Sequence, residues 1–235
     1  MTDLTILYLS NSLLPEKWTE FHKKALLETA GQHQIISMTR VPVDFGINVL
    51  QTEPQTKSNI FWQMLKGSHI AKTKYIAVAE DDTLYPPGHF DFYRPDDDVA
   101  AFNQHRWSAY TWGKPTYSLK NFIRTNATYI GTRELTIKAL EERFKKYPPD
   151  TENMPAGMSG EIGMKKAEQE IGVTVQKSVD IKSELPVVQF DHDFFTVFDA
   201  NKETIDRRHN KKLGTIQAYD IPHWGKVEDL VNKFI

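Results

Sequence analysis

The chain has 235 residues, 40% of them hydrophobic, with a formal net charge of -2 and no cysteine. The missing cysteines exclude disulfides, zinc–thiolate sites and cysteine nucleophiles, and the near-balanced charge provides no global field to recruit nucleic acid. No run approaches the roughly 18 uninterrupted apolar residues of a membrane helix, and the N-terminus lacks the basic-then-apolar layout of a signal peptide; the expectation is a soluble, cytoplasmic protein of one domain.

The first 90 residues alternate strand and helix. Residues 4–9 (LTILYL) form a short apolar run that reads as a buried strand. Pro15 opens a helix, where proline is tolerated in the first turn, and Trp18, Phe21, Ala25 and Leu26 follow at helical spacing. Residues 34–41 (QIISMTRV) read as a second strand, followed by a loop with two prolines and Gly46. Ile60, Phe61, Met64 and Leu65 mark a second amphipathic helix with Thr56 or Ser58 as its cap. Residues 75–79 (YIAVA) are the third strand, which runs into Glu80, Asp81 and Asp82. Such alternation predicts an α/β layered fold with a mostly parallel sheet, in which ligands bind beyond the carboxyl ends of the strands.

The second half is less regular. Residues 99–102, 106–112 and 127–131 read as strands, and Thr132 caps a helix whose face is Leu135, Ala139, Leu140 and Phe144. Residues 148–160 (PPDTENMPAGMSG) read as a loop, residues 161–171 as a helix stopped by Gly172, and 186–190 (PVVQF) as a late strand ending in Asp191, His192 and Asp193. A polar, basic stretch spans 201–212, and a last helix covers 227–234.

Three consecutive acids at the end of an apolar strand need a reason, because packed like charges raise one another's pKa. Hard divalent cations such as magnesium and manganese take carboxylate oxygens and share substrate phosphates. Side chains alternate along a strand, so Glu80 and Asp82 share one face and Asp81 points the other way. The plain alternative is a solvated acidic turn ahead of Pro86 and Pro87.

The run AKTKYIAVAEDDTLYPPGHF, residues 71–90, resembles the centre of GT-A glycosyltransferases, especially the family 2-like group, and the order of elements fits from about residue 4 to 172. This resemblance implies a Rossmann-type α/β/α sandwich in which the acidic motif, usually written DxD, holds a divalent metal against a sugar-nucleotide diphosphate. Here the motif is Glu80-Asp81-Asp82, with glutamate at its first position. By resemblance, Asp82 coordinates metal, Asp81 or Glu80 contacts ribose or metal, and Ser10 and Asn11 at the first strand's end cradle base and ribose. Asp44 is a candidate for a uracil or ribose hydrogen bond. The segment SGEIGMKKAEQEIG resembles the family's later acidic motif and makes Glu161 the base that deprotonates an acceptor hydroxyl; Ile162 stands where a second acid is usual. A glutamate at a helix start is also favoured by the macrodipole alone. His192 matches the late histidine that completes the metal shell.

The basic run RRHNKK, residues 207–212, makes Arg207 and Arg208 candidates for the diphosphate, since guanidinium forks match phosphate oxygens, with His209 as a further metal or phosphate candidate; a solvated loop or a contact to a polyanionic acceptor are the equal alternatives. Trp107, Tyr110, Trp112 and Trp224 are candidates for an acceptor face, with a place in the core the favoured reading of each. The resulting expectation is an Mn2+- or Mg2+-dependent transferase using a nucleotide-diphosphate sugar, a UDP-sugar first, with inversion at the anomeric carbon. Residues 1–100 form its nucleotide-sugar half, 101–200 its acceptor half and 201–235 a C-terminal extension. The acceptor is a saccharide or a hydroxymethylated base in DNA, the latter as in small soluble bacteriophage glycosyltransferases. Two rivals stand beside it. A nucleotidyltransferase would also use paired acids, but no glycine-rich, lysine-bearing phosphate loop is found near the N-terminus. A catalytically idle nucleotide- or sugar-binding protein would need no base.

Overall fold

Six consecutive buried residues, Leu4–Leu9, form β1 and occupy the interior of a seven-stranded sheet. A strand covered on both faces has no solvated side, which is why its sequence does not alternate. The structure, a computed structural model, describes residues 2–53, 55–56, 58–111, 114–192 and 216–234.

Along the chain, β1 is followed by α1 (Glu16–Ala30), β2 (Gln34–Thr39), β3 (Ile47–Leu50), α2 (Asn59–Ile70), β4 (Tyr75–Glu80), β5 (Thr83–Leu84), β6 (Val99–Asn103), β7 (Arg106–Tyr110), β8 (Thr116–Leu119), β9 (Tyr129–Thr132) and α3 (Arg133–Lys146). Then come α4 (Lys165–Ile171), β10 (Lys177–Ile181), β11 (Val187–Asp191), β12 (Gln217–Ala218), β13 (Asp220–Ile221), β14 (Gly225–Lys226) and α5 (Val227–Phe234).

The large sheet has the order β10-β6-β9-β4-β1-β2-β3. Only β9 runs against the others, through its antiparallel pairings with β4 and β6; the remaining pairs are parallel. The carboxyl ends of β1, β2, β3, β4, β6 and β10 therefore share one edge. One face packs α2 and α3 in a core of Leu7, Met38, Phe61, Leu140 and neighbours. The other packs α1 through Leu26 and Ala30. A second sheet, β12-β8-β7-β11-β5, closes over a third core with Trp18 of α1 and Leu230, Val231 and Phe234 of α5.

Several elements differ from the sequence expectation. β3, β5, β8, β10 and β12 to β14 are additional strands, and most belong to the second sheet or to sheet edges. The strand expected at 127–131 begins as a 3-10 turn, Asn126–Thr128, before β9. Thr132 does cap α3, accepting from the Leu135 N–H at 3.2 Å, whereas neither Thr56 nor Ser58 makes a side-chain cap on α2; their hydroxyls meet each other at 3.2 Å. The helix expected from 161 begins only at Lys165. Gly163 prevents an earlier start: its φ is +81°, and a Cβ there would lie 2.5 Å from that of Ser178. Residues 160–164 thus form a tight turn against β10. Gly172 ends α4 in the left-handed conformation, as expected.

Candidate active site

The acids after β4 are buried, with Glu80 8% and Asp82 2% exposed, so the solvated-turn alternative does not hold. The two sheets produce this burial. β11 pairs with β5, bringing Gln189 opposite Thr83, and the Phe190 N–H donates to the Asp82 carbonyl at 2.8 Å. From the other side, Trp18 Nε1 donates to the Asp81 carbonyl at 2.7 Å, and His22 Nε2 meets the Thr83 carbonyl at 2.8 Å. The Glu80 N–H donates to the Tyr85 hydroxyl at 2.9 Å. Backbone groups on both sides of the acids are thereby fixed by rigid aromatic residues.

The alternation expected from a strand persists through the acids. Asp81 turns toward β1 and accepts from the Ser10 hydroxyl at 2.5 Å. Glu80 and Asp82 turn the other way, toward Gln189, whose Nε2 stands 3.4 Å from Glu80 Oε2 and 3.5 Å from each Asp82 oxygen. His192, just past β11, lies with Nε2 3.9 Å from Asp82 Oδ2, and its ring packs 5.0 Å from that of Phe234. Burial and the Asp82 and Asp81 charges push the Glu80 carboxyl well up. Burial, then the Asp81 charge, raises Asp82 to about 7, and burial raises Asp81 to about 6, opposed by the Ser10 hydroxyl.

Glu161 approaches from the turn before α4, and its charge is among those that raise Glu80. Burial raises its own carboxyl, while Arg143, Arg106 and Arg124 act in the opposite direction. The turn is held by a buried ion pair: Arg143 donates to the Gly160 carbonyl at 2.6 Å, the Glu161 carbonyl at 3.2 Å and Glu168 Oε1 at 3.0 Å. Glu168 in turn accepts from the Gly163 and Gln176 N–H groups, each at 2.9 Å. Glu161 is therefore positioned by a turn, and the helix-macrodipole account of it falls away.

Two residues that sequence reasoning missed complete the arrangement. Arg106, at the start of β7 and 5% exposed, donates to Gln189 Oε1 at 2.9 Å and to the Ile123 carbonyl at 3.2 Å. Burial lowers its pKa, while the charges of Asp82, Glu80, Glu161 and Asp191 oppose that shift; a guanidinium remains charged in proteins. The sequence signal for Gln189 was one uncharged polar residue inside the apolar run PVVQF.

Other candidates are placed elsewhere. Asn11 lies beside Ser10 and accepts from the Leu13 N–H at 3.3 Å. The adjacent Ser12 has φ 59°, a left-handed conformation uncommon outside glycine. Asp44 is not brought to the acids: it pairs with Lys23 of α1 at 2.5 Å and its side chain is 79% exposed. Trp107 and Trp224 pack against the third core and Tyr110 is buried, so these three do not form an exposed platform. Arg207, Arg208, His209, Asp193 and Trp112 lie outside the described residues.

Among the described residues, no three His, Asp or Glu side chains converge closely enough to hold a metal by themselves. Asp82 and His192, with Glu80 across the Gln189 amide, fit a different kind of site. There the protein supplies few ligands and the substrate's phosphates and water supply the rest; carboxylate suits magnesium and manganese, and imidazole is the less usual ligand for either.

No family model matches the sequence, and no curated protein matches it. Among solved structures, the chain is similar to a glycosyltransferase involved in the glycosylation of the major capsid of PBCV-1, at 9% identity over 89% of this chain and 100% of that chain, TM-score 0.48. It is similar to a Drosophila beta-1,4-galactosyltransferase 7 mutant complexed with manganese, UDP-Gal and xylobiose, at 12% identity over 92% and 82% of the two chains, TM-score 0.46. It is also similar to the inositol-1-phosphate CTP transferase from T. maritima, at 9% identity over 91% and 98%, TM-score 0.44. Identity this low leaves each protein's activity its own. The chain's α/β/α architecture and mostly parallel sheet are those expected from the sequence.

Proposed function

We propose that this protein moves a glycosyl group from a nucleotide-diphosphate sugar, a UDP-sugar first, to an acceptor hydroxyl, with Mn2+ or Mg2+ shared between Asp82, His192 and the diphosphate. One observation carries the reading: two buried carboxylates turn to a common point at the sheet's carboxyl edge, and a third, Glu161, belongs to the same electrostatic cluster from a separate, stapled turn. When bound, the cation supplies Lewis-acid stabilisation of the departing diphosphate. Ser10 and Asn11 line the β1 end on which the nucleoside rests. Glu161 removes the proton of the acceptor hydroxyl, and its burial makes it a stronger base than an exposed carboxylate. The hydroxyl oxygen then bonds to the anomeric carbon as the bond to the diphosphate breaks, which inverts that carbon.

Thermal stability against a panel of nucleoside diphosphates, with and without manganese, tests this. A ligand that binds only the native state raises stability by RT ln(1 + [L]/Kd). The expected result is a manganese-dependent shift with one nucleotide, lost in Asp82→Ala and kept in Glu161→Gln, which in turn loses transfer to saccharide or hydroxymethylated-DNA acceptors. No shift with any nucleotide, in folded protein, overturns the reading. A shift kept by Asp82→Ala removes the cation from it.

A further inference from the structure

After β8 the chain crosses beside the site in a short loop, residues 120–125, whose backbone is held from both sides. At its start the Lys120 N–H donates to the Arg106 carbonyl at 2.9 Å, and the Arg106 guanidinium donates to the Ile123 carbonyl at 3.2 Å. At its end Arg124 donates to Asp180 at 2.6 Å, to the Ser178 hydroxyl and to the Gly163 carbonyl, with its guanidinium 5.4 Å from the ring centre of buried Phe102. The same Arg106 holds Gln189, which reaches Glu80 and Asp82, and Gly163 belongs to the turn that carries Glu161. The loop thus bridges the acid cluster and the candidate base, and the charges of Arg106 and Arg124 both act on Glu161. Between these anchors stand Phe122, 68% exposed, and Ile123, 48% exposed. Scattered exposed apolar residues are ordinary. An adjacent pair that a pinned backbone keeps in water beside a polar site marks a binding surface.

Charge selects what covers the pair. The two flanking guanidiniums already serve partners, Arg106 the Gln189 amide and the Ile123 carbonyl, and Arg124 the Asp180 carboxylate. The surrounding carboxylates, Glu80, Asp82, Glu161 and Asp180, oppose a phosphodiester, whose binding depends on free cations. A neutral sugar ring fits instead: its C–H face covers an aromatic ring while its hydroxyls meet polar neighbours. We propose that Phe122, with Ile123 beside it, is the acceptor platform, stacking on the C–H face of a neutral saccharide whose hydroxyl is thereby presented to Glu161. This rests on the transferase reading above and names its acceptor as a saccharide, not a DNA base.

The test is binding of the full chain to a saccharide array and to a duplex containing hydroxymethylcytosine, each with and without UDP and Mn2+, for wild type, Phe122→Ala and Phe122→Trp. The strongest array ligand is then titrated by calorimetry. Phe122→Ala is expected to weaken saccharide binding by about 10-fold or more, because the ring no longer buries its face against the ligand. Phe122→Trp keeps an aromatic face and is expected to bind at least as tightly as wild type. At so exposed a position both variants should keep the wild-type melting temperature, and the nucleotide-induced shift should be the same in all three proteins. Equal saccharide affinity in wild type and Phe122→Ala, or an equal loss in both variants, overturns the inference. So does a wild type that binds the duplex and no saccharide, or neither. These outcomes leave the transferase reading intact, because it depends on the Mn2+-dependent nucleotide shift. A wild type without that shift for any nucleoside diphosphate overturns both.

Discussion

Glu168→Ala isolates the staple beneath the candidate base. The Arg143–Glu168 pair spans 3.0 Å with side chains 0% and 1% exposed. Removing the carboxylate leaves Arg143 as a buried charge without its counterion, a change that costs about 3–5 kcal/mol in comparable pairs. It also removes the acceptors of the Gly163 and Gln176 N–H groups, worth about 1–3 kcal/mol each. The same turn relaxes to meet both losses, so the figures overlap and the expected total is about 5 kcal/mol. That is a large part of the ~5–15 kcal/mol available to a folded domain. Arg143→Met combined with Glu168→Met removes both charges and should recover the bare-charge part of the loss, while the Gly163 and Gln176 N–H groups and the Gly160 and Glu161 carbonyls still lack these partners. Urea unfolding monitored by fluorescence and circular dichroism reads both effects as midpoint shifts at constant slope. A Glu168→Ala loss under about 1 kcal/mol, typical of exposed pairs, would refute the reasoning. So would a double variant no more stable than the single one.

The acid limb of the stability profile depends on buried histidines. His89 is 1% exposed among Tyr85, Phe90 and Phe92, and burial lowers its pKa from 6.5 to about 3. The unfolded chain takes up that proton first, so stability present above pH 6.5 is lost as pH falls toward 3. His89→Phe removes this loss, and its stability advantage over wild type should grow from pH 7 to pH 4 by on the order of 3 kcal/mol; an advantage independent of pH counts against the account. Trp18→Phe keeps the aromatic packing against Phe190 and Phe234 but deletes the bond to the Asp81 carbonyl. It should cost about 1 kcal/mol in urea unfolding and weaken manganese-dependent nucleotide binding, and unchanged nucleotide binding would separate the indole from the site.

Legibility in the sequence followed burial. Strands covered on both faces, β1 and β4, show as unbroken apolar runs, and α1, α2 and α3 show by their periodic faces. β3 is an edge strand whose residues are exposed or half-buried, and β10 carries Lys177 and Asp180 at the opposite edge; neither has the apolar run or clean alternation that marks a strand. Of the second sheet, β7 and β11 show in the sequence, whereas β5 and β12 have only two residues each and owe their pairing to partners far along the chain. At the site, the charged residues could be picked out because acids are rare at the end of a buried strand. Arg106 and Gln189 could not, because their meaning arises only when β7 and β11 lie side by side over β4's end.

That convergence explains why the acids can be buried at all. Carboxylates gathered in a low-dielectric site oppose folding unless donors and cations surround them. Here the donors are spread over separate elements: Ser10 after β1, Trp18 in α1, Thr83 in β5, Gln189 in β11 and, behind it, Arg106 in β7. Most of them reach the acids' backbone or a single oxygen each, and the long Gln189 contacts reach both Glu80 and Asp82. Their carboxyls remain raised, Asp82 to about 7 and Glu80 well above its ordinary range. The compensation is thus enough to build the cluster and not enough to satisfy it. On the proposed reading a divalent cation would supply the positive charge that the network lacks, and folding and binding would then favour the same arrangement.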